Sequence, residues 1–186
     1  MRIVFMGTPE FAVPSLRRLH ESDHEVVLVV TQPDRRAGRG RALRSPPVKS
    51  AAEDMGLPVE QHESVNKDPF AARLRELHPD VLVVAAFGQI LSDEVLEVGR
   101  LGAGNVHASL LPRYRGVAPI NRVIMNGEDE TGVTTMYMAA KVDAGEIILA
   151  RRTSIGEHET AGELYDRLAQ MGGELLIETL DLIEKG

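Results

Sequence analysis

Cysteine and tryptophan are missing from the 186 residues, and aromatic residues make up only 4% of them. Without Cys there is no disulfide framework and no thiolate metal site. No apolar run approaches the roughly 18 residues that span a bilayer. The N-terminal residues lack the apolar core and small-residue cleavage site of a secretory signal. A cytoplasmic protein with no membrane partner is the default expectation. Gly7 stands alone after the first strand-like run, so the Gly-x-Gly-x-x-Gly fingerprint of dinucleotide folds is absent and neither NAD nor a flavin dinucleotide is expected. His20, His24, His62, His78 and His158 show no metal-ligand spacing and no metal is expected. No repeat or low-complexity tract is visible.

The chain that remains is ordinary in bulk, with 43% hydrophobic and 26% charged residues. Its length suits one domain over residues 1–186 with a sizeable core. Short apolar runs at Arg2–Met6, Glu25–Thr31 and Val81–Ala86 read as buried parallel strands. Helical patterns alternate with them: Phe11, Leu16 and Leu19 after a Thr8-Pro9 start, then Val48–Met55, then Phe70, Leu74 and Leu77. Gly132–Met138 and Ile147–Arg151 read as a late antiparallel pair. Thr160-x-x-Glu163 is a capping-box pattern ahead of a long terminal helix, weakened in its middle by Gly172-Gly173. The fold class expected is α/β: a Rossmann-like, mostly parallel sheet with helices on both faces and a late antiparallel pair.

Charge is unevenly spread. The net charge is −7, yet Arg35, Arg36, Arg39, Arg41, Arg44 and Lys49 form a basic stretch without an acid; the other residues hold 15 basic against 28 acidic groups, a balance of −13. A cationic loop on an acidic body suggests a local anionic partner rather than a broad nucleic-acid face. Arg pairs well with phosphate oxygens, and the loop contains no aromatic residue for base stacking. The acidic turn Glu128-Asp129-Glu130 reads as solvated surface.

Asn105-Val106-His107-Ala108 carries the main chemical signal. On a strand Asn105 and His107 share one face, while Val106 and Ala108 face the other. An Asn-His pair at a strand end is often no more than a hydrogen-bonded core pair. Yet imidazole is the side chain best suited to proton work near neutrality, and an Asn NH₂ is an uncharged donor for a developing oxyanion. A carboxylate would complete a site, and Asp143, in the loop after Gly132–Met138, is the candidate. Its competing role is that of a turn carboxylate. Phe87–Leu91 leaves the carboxyl end of a buried strand, where ligands of open α/β sheets bind.

Met6-Gly7-Thr8-Pro9-Glu10-Phe11, Thr31-Gln32-Pro33-Asp34-Arg35, Ala37-Gly38-Arg39-Gly40 and Asn105 through Gly116 together resemble the folate-dependent formyltransferases, and among them the methionyl-tRNA formyltransferases; so do Ala118-Pro119-Ile120 and Glu130-Thr131-Gly132-Val133-Thr134. The resemblance implies transfer of a formyl group from 10-formyltetrahydrofolate to the α-amine of methionyl initiator tRNA. It implies Asn105, His107 and Asp143 as catalytic residues, and a folate pocket from Phe87, Gly88, Gln89, Ile90, Leu91, Ser109, Leu110, Leu111, Pro112, Ala140, Lys141 and Val142. It assigns acceptor contacts to Phe11, Arg35, Arg39 and Arg41, and a cis peptide before Pro112. It further implies a monomer, and a C-terminal tRNA-binding β-barrel domain beyond these residues, without which tRNA binding should weaken. The chain departs from the family pattern at Arg36, where Pro is usual, and at Lys141, where Gly is usual. Its Asp-Ala-Gly core at residue 143 is also similar to sugar-nucleotide N-formyltransferases. Two further readings therefore stand beside the first: a formyltransferase for a small amine such as an amino sugar nucleotide, and a non-catalytic folate- or RNA-binding module.

Overall fold

The structure, a computed structural model, describes residues 1–37 and 42–186. β1 (Arg2–Gly7) leads through a 3₁₀ turn (Glu10–Ala12) into α1 (Val13–Glu21) and β2 (Glu25–Thr31). A short pair, β3 (Arg35–Ala37) and β4 (Ala42–Arg44), precedes α2 (Pro47–Asp54), β5 (Val59–Gln61) and α3 (Phe70–Glu76). β6 (Val81–Ala85), α4 (Asp93–Leu96), β7 (Ala103–His107) and α5 (Pro119–Met125) follow. β8 (Glu130–Tyr137), β9 (Ile147–Ser154) and α6 (Ala161–Lys185) end the chain.

Seven strands form one sheet in the order β5-β2-β1-β6-β7-β8-β9. The first five of these are parallel neighbours; β8 runs antiparallel to β7, and β9 antiparallel to β8. The α/β architecture, with helices on both faces and a late antiparallel pair, is the one expected from the alternation of patterns. One face packs Ile3, Phe5, Val83 and Val106 against α1, α2, α5 and α6; the other packs Val4, Met6, Leu82 and Val84 against α3 and α4. Each large apolar side chain removed from water contributes about 1.5–3 kcal/mol, so both faces must be covered.

Local details differ from the sequence expectations. Thr8 does not cap a helix: the cap of the 3₁₀ turn is Pro9, without a side-chain bond, and Thr8 Oγ1 donates to the Phe87 carbonyl at 2.9 Å. The Phe87 carbonyl, just beyond β6, competes successfully for that hydroxyl. β1 and β2 change register between Ile3 and Val4, so that Ile3 pairs with Val26 and Val4 with Leu28. The bulge inverts the facing of β2, which puts Val26 and Val29 on one face and Leu28 and Val30 on the other. The basic stretch is not simply a loop, because Arg35 pairs with Arg44 and Arg36 with Leu43 in an antiparallel hairpin. Arg39 and Arg41 lie outside the described residues.

The capping box at α6 forms as its pattern predicts: Thr160 accepts from Glu163 N, and the Glu163 carboxylate accepts from Thr160 N. Gly172 and Gly173 are close-approach positions rather than simple weak points. A Cβ on Gly172 would stand 2.9 Å from Val106 Cγ1, and one on Gly173 would stand 2.9 Å from the Pro14 carbonyl oxygen. The helix can therefore lie directly against β7 and the start of α1.

Candidate active site

β7 ends at His107, and its period-two facing is what the sequence predicts. Val106 and Ala108 enter the α6-side core, while Asn105 and His107 turn to the opposite face. The loop following β8 folds back over that face. Met138 N donates to Ala103 O at 2.8 Å and Tyr137 N to Glu146 O at 2.8 Å, which pins both ends of the loop. Gly145 is pressed so closely on Tyr137 that a Cβ would lie 1.7 Å from its carbonyl oxygen. Asp143 sits at the crest in a left-handed backbone conformation, φ 48°.

Asp143 is brought to both predicted partners. Asn105 Nδ2 donates to its Oδ1 at 3.5 Å, and His107 Nδ1 lies 3.5 Å from its Oδ2. The side chains of His107 and Asp143 are 8% and 9% exposed. Charge-assisted bonds run near 2.7–2.9 Å, so these two contacts are long, and neither donor is fully engaged by the carboxylate. Asp143 Oδ2 is held more firmly by Gly116 N, which donates at 2.7 Å. The far nitrogen of the imidazole, Nε2, donates to Tyr114 O at 3.0 Å. That bond anchors the ring and leaves Nδ1 as the nitrogen facing the carboxylate.

Sequence reasoning missed Tyr114 O and Gly116 N, because a main-chain group carries no residue signature. It also missed Thr134, which pairs with His107 across the strands. Thr134 Oγ1 donates to Ser109 O at 2.7 Å and accepts from Leu111 N at 3.1 Å, so it fixes the turn out of β7. Alternation marks Gly132–Met138 as a strand, but its place beside β7, and with it the Thr134 position, appears only in the structure.

The remaining predicted residues divide. Arg35 is exposed and donates to Gln32 Oε1 at 2.7 Å. Phe11 faces the core. Its ring is 5% exposed, packs edge-on against Tyr165 with centroids 5.5 Å apart, and belongs to the core. Phe87 and Leu91 are likewise core side chains; the Phe87 carbonyl accepts from Thr8 and Gln32. Gln89 bridges His62 O and Val65 N at 3.1 Å each. What the segment offers outward is the backbone at Gly88, φ 85°, and the Ile90 side chain, 68% exposed. In the loop after β8, Ala140, Lys141 and Val142 are exposed. Ser109 is buried and donates to Arg113 O at 2.7 Å. Leu110 packs over Gly132. Leu111 is half-buried and Pro112 exposed, with the peptide between them cis.

Beneath the basic hairpin, Asp34 binds Gln61 Nε2 at 2.7 Å and Lys49 Nζ at 3.1 Å. The Gln61 bond first, and then Lys49, hold its carboxyl below the usual carboxylate range. Concavities of about 570 Å³ beside Tyr165 and about 250 Å³ between α1 and α2 lie away from the Asn105, His107 and Asp143 cluster. Among the described residues no group of three or more His, Asp or Glu could hold a metal ion, and no helix is long and apolar enough to cross a membrane.

The methionyl-tRNA formyltransferase of Moorella thermoacetica is 56% identical over 183 residues, covering 98% of this chain and 59% of the relative. That of Geobacter metallireducens is 53% identical over 186 residues, covering 100% of this chain and 60% of the relative. The chain thus spans about three fifths of the length of the curated relatives it matches. The phosphoribosylglycinamide formyltransferase of Anaplasma phagocytophilum superposes with a TM-score of 0.82 at 20% identity, covering 100% of this chain and 87% of that one, which shows a shared fold. The family model described as formyl transferase matches residues 1–180, and with the sheet order, the switch to antiparallel strands and the loop over β7 all inside that span, the chain belongs to the formyl transferase family.

Proposed function

We propose that this chain transfers a formyl group from 10-formyltetrahydrofolate to the α-amine of methionyl initiator tRNA, in the cytoplasm. The observation that carries the reading is the Asp143 carboxylate lying 3.5 Å from both Asn105 Nδ2 and His107 Nδ1. Relatives at more than half identity that bear the name methionyl-tRNA formyltransferase support the choice of donor and acceptor.

The neutral amine attacks the formyl carbon, and the carbonyl π pair moves to oxygen. Asn105 Nδ2 and the protonated His107 Nδ1 donate to that oxyanion. Asp143 balances the imidazolium and takes the amine proton, directly or through a water. When the tetrahedral centre collapses, its C–N bond to the folate breaks, and the proton goes to the departing nitrogen. The fixed Nε2–Tyr114 bond lets His107 perform this without reorienting, which is where preorganised donors gain their advantage.

The pterin would lie between the backbone of Gly88–Ile90 and the loop Ala140–Val142, with Ile90 and Val142 as apolar edges. The exposed Arg35, with Arg39 and Arg41, would meet acceptor phosphates. Initiator tRNA charged with methionine, tested beside a panel of amino sugar nucleotides, decides the acceptor. Transfer to the tRNA alone is expected; transfer to the sugars alone would replace this reading with the small-amine one. His107→Ala should lower kcat by about 10²–10³ or more while the fold is kept. Turnover close to that of the unaltered chain would remove His107 from the mechanism. Folate binding without transfer to any acceptor would indicate a binding module.

A further inference from the structure

We propose that Glu128 is a positioning residue for His107, acting through Tyr114. The inference deepens the reading of His107 as a donor, and rests on it for the kinetic arm of the test alone.

Tyr114 is held at every part. Its φ of 57° is left-handed, a conformation that costs an L-residue about 1–2 kcal/mol. Something must therefore over-determine it. Its hydroxyl donates to Glu128 Oε1 and accepts from Asn126 Nδ2 at 2.9 Å. The guanidiniums of Arg113 and Arg122 lie 5.4 and 5.3 Å from its ring centroid, within cation–π range. Arg113 also pairs with Glu128. The main-chain carbonyl of the same residue accepts the Nε2 proton of His107 at 3.0 Å. One residue thus joins a carboxylate outside the site to the imidazole within it.

Neighbouring groups reinforce the geometry. Arg122 Nη1 donates to Arg115 O at 3.1 Å, Ser109 Oγ to Arg113 O at 2.7 Å, and Gly116 N to Asp143 Oδ2 at 2.7 Å. The segment Arg113–Gly116 therefore orients both His107 and Asp143. Glu128, read from the sequence as part of a solvated turn, has a side chain only 22% exposed. Its backbone is fixed too, because Glu128 N donates to Val123 O at 3.1 Å after Gly127 turns the chain with φ 62°. α5 thus supplies the platform from which the carboxylate grips the phenol.

The test uses Glu128→Ala, Glu128→Gln and Tyr114→Phe, the last removing only a hydroxyl. In the chain labelled with ¹⁵N-histidine, the His107 Nε2–H signal, assigned by its loss in His107→Asn, should exchange slowly with solvent. Glu128→Ala and Tyr114→Phe should each speed that exchange about tenfold or more. They should also lower kcat about 10- to 100-fold, with KM for 10-formyltetrahydrofolate held within about twofold. Glu128→Gln keeps an oxygen acceptor for the phenol and should stay near the unaltered chain in both readouts. The double variant should be no worse than the poorer single one, since both act on one linkage. Unchanged Nε2–H exchange in Glu128→Ala and Tyr114→Phe overturns the proposal, whatever kcat does. So does Glu128→Gln behaving like Glu128→Ala. A chain that transfers no formyl group to any acceptor defeats the functional reading instead, and the exchange measurement on the free protein still decides this one.

Discussion

Asp143 and Gly145 show how few atoms decide the site at the scale of single residues. Asp143 needs a positive φ, and Gly145 two positions later needs the absence of a Cβ. An added methyl on Gly145 would overlap the Tyr137 carbonyl oxygen, a backbone atom that cannot swing aside. Gly145→Ala should therefore cost about 1–3 kcal/mol in stability and move the Asp143 carboxylate off the imidazole. A fall in kcat larger than the fall in folded fraction, read from activity beside a urea titration, is the expected result. Equal falls would mean that the loop relaxes without disturbing Asp143. At the same scale Phe11 and Phe87 commit their rings to the two sides of the core.

Elements act through their contacts. α6 approaches β7 because Gly172 leaves space for Val106, and α1 because Gly173 leaves space for the Pro14 carbonyl. Val106 lies between Asn105 and His107, so the helix supports the strand directly behind the two donors. Gly173→Ala should destabilise the fold by about 1–3 kcal/mol from overpacking, which outweighs a helix-propensity gain of about 1 kcal/mol. Gly162→Ala, in the first turn with no atom nearer than Thr160 Oγ1 at 3.9 Å, should be neutral or slightly stabilising. Thermal unfolding of the two variants side by side checks the sign; a stabilised Gly173→Ala would show that α6 can shift without cost. The capping box starting this helix was legible from Thr160 and Glu163, because both partners lie within one turn. The bulge in β2 was not, because it appears only when β1 is laid beside it.

For the whole molecule, charge sets the pH limits. Asp34, Asp80, Glu128, Glu159 and Glu163 are each held below the usual carboxylate range, mainly by hydrogen bonds: from Gln61 for Asp34, Arg2 N for Asp80, Tyr114 for Glu128, Arg167 for Glu159 and Thr160 N for Glu163. Their folded values lie below the unfolded ones near about 4. The stability they contribute is thus fully present above the unfolded value and is lost as pH falls through the folded values. Tyr165 runs the other way, since burial raises its pKa. Its contribution is whole below the unfolded value near about 10 and disappears as pH rises through the folded value. Urea unfolding should show a plateau between about pH 5 and 9, with an acid limb below and an alkaline limb above. An acid limb absent down to pH 3 would mean that the five carboxylates keep their partners when unfolded.

Local order was written into the chain by periodicity and punctuation. Apolar runs of strand length, the Asn105–His107 facing and the α6 cap follow from side-chain alternation and from groups within a few residues of one another. The mostly parallel sheet follows from how those patterns alternate. The meeting of Asp143 with His107, the grip of Glu128 on Tyr114, the burial of Phe11 and the bulge in β2 depend on contacts between distant segments. Those contacts arise because a folded chain must pair its buried polar groups and cover both sheet faces at once. No local pattern encodes which distant atom will satisfy either need.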